Sequence, residues 1–161
     1  MAEGAKKSVL FVCLGNICRS TMAEGILLDL VSKRKDASEW KVDSCGTASW
    51  NNGDPPYPDT METLKKHGIN GYTHVARNMV KSDFVNFHWI FVMDNQNYKD
   101  VKRMQPENSE SKVLLLRDFD TEKDGALPIV IDPYFENDKK YFEICYQQCF
   151  RSLSQFLEKE F

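Results

Sequence analysis

The sequence has no excess of positive charge and no apolar run long enough to cross a bilayer. Its 21 Lys and Arg against 24 Asp and Glu give a formal charge of −3. Nucleic acid and membrane are therefore not expected partners, since both call for a basic face. A small phosphorylated ligand is not excluded, because it feels the local field and not the total. Histidine is scarce, at three residues, and no cysteine pair has CxxC spacing. A zinc site, or any metal, is not expected. Repeats, low-complexity tracts and long linkers are missing too. The five cysteines, Cys13, Cys18, Cys45, Cys145 and Cys149, are an odd number. Met1 to Lys7 leads into a run too short for a secretory h-region. The expected compartment is thus the reducing cytoplasm.

What is present suits one domain spanning 1–161. A chain of about 150 residues buries roughly 68–70% of its unfolded surface and needs no disulfide or metal staple. Hydrophobic residues make up 42% and charged ones 28%, as in an ordered globular protein. Strand and helix patterns alternate. Ser8–Val12, Trp40–Ser44, Trp89–Met93 and Val113–Leu116 read as strands, the first and third as continuous apolar runs buried on both faces. Helices are expected from about Thr21 to Lys33, with Met22, Ile26 and Leu30 in register, and over Thr60–His67 and Asn95–Met104. Gly68 supplies the second helix's stop. A loop of about twenty residues follows the fourth strand, too long for a simple connector. In the C-terminal segment Phe142, Cys145, Tyr146, Cys149, Leu153, Phe156 and Leu157 form a core-facing helical stripe. The order predicts an α/β three-layer sandwich, with a central parallel sheet of about four strands and helices on both faces. Ligands of such sheets bind beyond the carboxyl ends of the strands.

The loop after the first strand reads Cys13-Leu14-Gly15-Asn16-Ile17-Cys18-Arg19-Ser20-Thr21. Cys13 closes a buried strand, Gly15 and Asn16 permit unusual dihedrals, and a helix follows. A tight loop at a helix N-terminus turns backbone N–H groups inward and binds a dianionic phosphate. The same field favours a thiolate at Cys13. Arg19 can fork onto two phosphate oxygens. Ser20 can donate to the sulfur and ease its departure from a phosphoenzyme. The loop lacks the Gly-Lys-Ser/Thr of a nucleotide P-loop. Two helix entries fit: a Thr21/Glu24 capping box, or Ser20 as cap with Thr21 as the first helical residue.

The run Val12 to Ser20 resembles the active-site signature of the low-molecular-weight protein tyrosine phosphatases. The resemblance continues through Ser44–Trp50, Lys66–Ile69, His74–Arg77, Met93-Asp94, Asp132-Pro133-Tyr134 and Tyr146–Cys149, from about Ser8 to Phe161. It implies phosphotyrosine hydrolysis through a cysteinyl phosphate. Cys13 would be the nucleophile, Arg19 the phosphate clamp and Asp132 the general acid, held extended by Pro133. Leu14, Gly15, Asn16, Ile17, Cys18 and Ser20 would form the phosphate-binding loop, supported by Ser44 and His74. Trp50, Asn51 and Tyr134 would wall the substrate cleft. It further implies that Cys13 and Cys18 can join after oxidation. Neither cofactor nor metal is implied. The partners are phosphotyrosine proteins or small aryl phosphates, and a monomer is expected.

The sequence departs from that pattern at Phe135, where many members carry a second tyrosine, and at Thr21, usually proline. Gly71-Tyr72-Thr73 makes the segment before His74 one residue longer than the common spacing. Three other functions compete. A phosphoarginine phosphatase of this fold has threonine where Ile17 stands. An arsenate reductase needs two further relay cysteines on a mobile segment, whereas Cys145 and Cys149 sit on a helical stripe. A non-catalytic phosphate-binding module would be expected to lose Cys13 or Asp132.

Overall fold

The computed structural model describes residues 6–123 and 128–161. Residues 1–5 of the opening segment and 124–127 of the long loop lie outside the described residues. Four strands, β1 (Ser8–Cys13), β2 (Lys41–Gly46), β3 (Trp89–Val92) and β4 (Lys112–Leu115), form one sheet in the order β2-β1-β3-β4. All three pairings are parallel, with Val12 beside Cys45 and Val92. Every residue of β1 and β3 is buried, as their unbroken apolar runs require.

Alternate residues of these strands feed two cores, because successive strand side chains point to opposite faces. Val9, Phe11, Trp89 and Phe91 face α1 (Arg19–Ser32) and α5 (Lys140–Glu160), whose Met22, Ile26, Cys149, Leu153 and Phe156 complete that layer. Leu64 of α2 (Pro58–Lys66) joins them. Leu10, Val12, Ile90 and Val92 face the other way, against Phe84 of α3 (Asp83–Asn86) and Val101 of α4 (Asn95–Met104). Phe156 packs edge-on against Phe91 and Trp89, both at 5.0 Å between centroids. A fully buried Phe of this kind is worth about 1.5–3 kcal/mol of burial.

The sheet with helices on both faces is the architecture the alternating pattern predicts. All seven apolar residues of the C-terminal stripe are buried. The one-turn α3 was absent from the sequence reading. Four residues give no periodicity, and its start is set by Asp83, whose carboxylate accepts from Val80 N–H (2.8 Å).

The largest correction is at the start of α1. The helix begins at Arg19, two residues before the expected Thr21, and neither capping register forms. Thr21 Oγ1 donates to Cys18 O (3.0 Å), Ser20 turns toward Cys13, and Glu24 is buried beneath the loop. No side chain caps the first turn. Its leading N–H groups are therefore left without a side-chain acceptor, as an anion site needs. The chain leaves β1 for β2 on one side and later places β3 on the other. The loop after β1 thus lies at the switch in strand order, where such sheets bind ligands.

Candidate active site

Cys13 ends β1, and the loop closes over it. Asn16 takes a left-handed conformation, φ 58°, which asparagine tolerates better than most residues. This bend brings Asn16 N–H to 3.3 Å from Cys13 Sγ. The loop passes tightly over the end of β2. A Cβ on Gly46 would lie 2.8 Å from Leu14 O, so only glycine fits there without a backbone shift.

The hydrogen bonds beneath the loop run in a fixed direction. Arg77 N–H, an obligatory donor, reaches Asn16 Oδ1 at 3.0 Å and so sets the amide's orientation. Asn16 Nδ2 then donates to Ser20 Oγ (2.9 Å) and Ser44 Oγ (2.9 Å). Having accepted from Asn16, Ser20 keeps its own proton for Cys13 Sγ, 3.0 Å away. Ser44 donates to Glu24 Oε1 (2.7 Å). His74 Nε2 donates to Asn16 Oδ1 (2.8 Å), and its Nδ1 lies 3.3 Å from Glu24 Oε1. Asn16, Ser20 and Ser44 are at most 1% exposed. Such a buried network is over-determined: every member is held by at least two others.

Arg19 is also buried. Its Nη1 donates to Asp94 Oδ2 (2.7 Å), and its Nη2 is 3.3 Å from Asp132 Oδ2. Although burial opposes the charge, Cys13, Asp132 and Asp94 outweigh it and raise the guanidinium's pKa. Asp94 has a second task, because its Oδ1 accepts from Asn97 N–H (2.8 Å) and caps α4. Asp132 is extended, at φ −92° and ψ 99°, as a residue before proline should be.

These groups open into one cleft of about 240 Å³. Cys13, Leu14, Gly15, Ile17, Cys18 and Arg19 form its floor, Asp132 stands at the side, and Trp50, Asn51, Tyr134 and Phe135 line its walls. An anion nest, a sulfur at its centre, one buried guanidinium and one carboxylate among aromatic walls can hold and cleave an aryl phosphate. The comparisons agree with that chemistry. The family model described as low molecular weight phosphotyrosine protein phosphatase matches residues 8–160. The chain belongs to that family. The mouse protein of that name is 43% identical over 163 residues, covering 100% of both chains. The crystal structure of Primo-1 superposes with a TM-score of 0.87 at 38% identity, covering 96% of this chain and 98% of the other. The Drosophila arginine phosphatase DARP superposes at 0.86 with 38% identity, over 94% and 96%.

Every candidate residue named from the phosphatase pattern lies in the cleft or in the network below it. Sequence reasoning missed Asp94 as the partner of Arg19, although an aspartate between β3 and α4 carries a helix-cap signal. It also offered Glu24 as half of a capping box, in one of the two helix entries it left open. Burial pushes the Glu24 carboxyl up to about 7, while hydrogen bonds from Ser44 and Tyr72 pull it down. The placement of His74 after a lengthened segment is resolved by its bond to Asn16. Cys18 is buried beside Cys13, and burial raises its thiol pKa strongly. Among the described residues Glu24, Asp43 and His74 offer donor atoms within 4.8 Å of one another. Ser44 and Tyr72 already donate to Glu24, and Arg77 to Asp43 Oδ2 (3.0 Å), so this donor set is engaged within the protein.

Proposed function

We propose that the chain hydrolyses phosphotyrosine, and small aryl phosphates, through a cysteinyl-phosphate intermediate. The observation that carries this reading is the convergence of Cys13, Arg19 and Asp132 on one aromatic-walled cleft. A phosphate dianion enters the loop, taking hydrogen bonds from backbone N–H groups and from Arg19, which Asp94 keeps oriented. The Cys13 thiolate attacks phosphorus in line with the aryl oxygen. As the S–P bond forms and the P–O bond breaks, Asp132 gives its proton to the leaving phenolate. In the second step Asp132 takes a proton from water, whose oxygen attacks phosphorus. The S–P bond then breaks, and the Ser20 hydroxyl stabilises the departing thiolate. Trp50, Tyr134 and Phe135 present ring faces and edges for the phenol.

We read the chain as one domain and a cytoplasmic monomer. Five free cysteines support a reducing compartment. Among the described residues no helix is long and apolar enough to cross a membrane.

Phosphoarginine is the second substrate to weigh, given the likeness to DARP. Ile17 on the cleft floor favours the aryl ester, because an apolar side chain offers nothing to a guanidinium. Hydrolysis of p-nitrophenyl phosphate, a phosphotyrosine peptide and a phosphoarginine peptide is measured beside Cys13→Ser, without added metal. Cysteine-dependent turnover of the first two is expected. Faster turnover of phosphoarginine would replace the aryl reading, and no turnover by folded parent would end both.

A further inference from the structure

Tyr72 lies outside the cleft, on the segment between α2 and α3. Its hydroxyl nonetheless donates to Glu24 Oε1 at 2.7 Å. The ring is 8% exposed and the carboxylate's residue 5%. The backbone puts it there. Gly68 and Gly71, both at φ 81°, turn the chain twice and bring Tyr72 against α1. Tyr72 packs over Gly25 of α1, where a Cβ would touch Tyr72 Cδ2 at an ordinary 3.5 Å and crowd Leu64 Cδ1 at 2.9 Å.

Glu24 Oε1 is the lower anchor of the loop's hydrogen bonds. It receives Ser44 Oγ and Tyr72 Oη, each at 2.7 Å, and faces His74 Nδ1 at 3.3 Å. Ser44 and His74 in turn both bond to Asn16, which shapes the loop. A buried carboxylate is held in place by its donors, and losing one frees the group to rotate or to take up a proton. We propose that Tyr72 is a positioning residue for phosphate hydrolysis: its hydroxyl anchors Glu24, and through Ser44, His74 and Asn16 it holds the phosphate loop in its receiving conformation. This rests on the phosphatase reading of the site.

The titratable and charged groups facing Glu24 are His74, Asp43 and Arg77, besides Tyr72 itself. Burial, together with the nearby Arg77 charge, draws the His74 pKa down and outweighs the upward pull of Asp43. His74 Nδ1 and Glu24 Oε1 lie 3.3 Å apart, so a proton on either group is felt by the other. Removing the phenol's donation weakens the carboxylate form, so Glu24 holds a proton to higher pH and His74 is left neutral more often.

Tyr72→Phe keeps the ring and removes one oxygen. Hydrolysis of p-nitrophenyl phosphate across pH and the ¹⁵N titration of His74 are measured on the same samples, with Glu24→Gln and the double variant alongside. For Tyr72→Phe, kcat/KM is expected to fall about three- to tenfold, in line with one buried hydrogen bond. The pH at which His74 senses Glu24 is expected to rise by about half a unit or more. In the Glu24→Gln background the rate loss from Tyr72→Phe is expected to shrink. Parental rates in Tyr72→Phe or in Glu24→Gln would overturn the proposal. So would a rate loss with an unmoved His74 titration, which would make Tyr72 a packing residue, or losses that simply multiply. The titration needs no turnover. A folded parent that hydrolyses nothing fails the phosphatase reading while His74 still tests the anchor.

Discussion

Directly beneath the floor of the cleft Asn16 and Ser20 are 1% and 0% exposed, whereas at its walls Trp50 and Phe135 are 74% and 68% exposed. The floor is held by a left-handed residue and a closed set of hydrogen bonds that leads from Arg77 N–H through Asn16 to the sulfur. The walls are mostly aromatic rings, Trp50 on a loop and Tyr134 and Phe135 on a single 3-10 turn, and Tyr134 has Tyr57 and Phe135 as its ring neighbours. The contrast follows the division of labour. Charge developing in a transition state is stabilised by donors already in place. A phenol ring asks only for apolar area, which loop side chains can supply in several arrangements. Floor substitutions should therefore act on kcat, and wall substitutions on KM and substrate choice.

The largest effect should come from the floor's centre. Cys13→Ser is expected to lower kcat for p-nitrophenyl phosphate by about 10⁴-fold or more, while inorganic phosphate still binds by calorimetry. Residual turnover within tenfold of the parent would remove Cys13 as nucleophile. Asp132→Ala comes next, at the junction of floor and wall. A loss of about 10²–10⁴-fold is expected with poor phenol leaving groups, and a smaller one with good ones. Equal slowing across a leaving-group series would show that Asp132 is not the acid.

Asn16→Ala tests the floor's rigidity without touching the reacting atoms. It removes four hydrogen bonds and leaves alanine at φ 58°. A loss of about 1–3 kcal/mol in stability by denaturant titration is expected. A fall in kcat of about ten- to a hundredfold should accompany it. Unchanged kcat would mean that the loop holds its shape without this network. Trp50→Ala is the smallest change and belongs to the wall. KM for a phosphotyrosine peptide should rise severalfold, kcat should hold, and stability should stay within about 0.5 kcal/mol, as for an exposed site. A kcat effect as large as that of Asn16→Ala would dissolve the distinction between floor and wall.

Legibility in the sequence followed the same division. Where chemistry depends on neighbours in the chain, the residues could be read directly. Cys13, Gly15, Asn16, Arg19 and Ser20 lie within one strand–loop–helix run, and the pattern of buried strands set the sheet around them. The apolar stripe of α5 and the bounds of α4 were equally plain, because long amphipathic periods are local. What failed was the helix entry at α1. A Ser-Thr pair followed by glutamate looks like a cap only while the tertiary partners of Ser20 and Glu24 are unknown.

The sequence by itself determined an α/β chain with an anion loop after its first strand, and the family resemblance named Asp132 as the candidate acid. Only the tertiary structure decided which partners make those residues act: Asp94 on Arg19, 75 residues away, and Glu24, Tyr72 and His74 beneath Asn16. The reason is physical. A hydrogen bond depends on ångström distances between side chains, and parallel strands bring together positions far apart in the chain. Local patterns specify each strand and helix, but the meeting of their ends is set by the packing of the whole sheet.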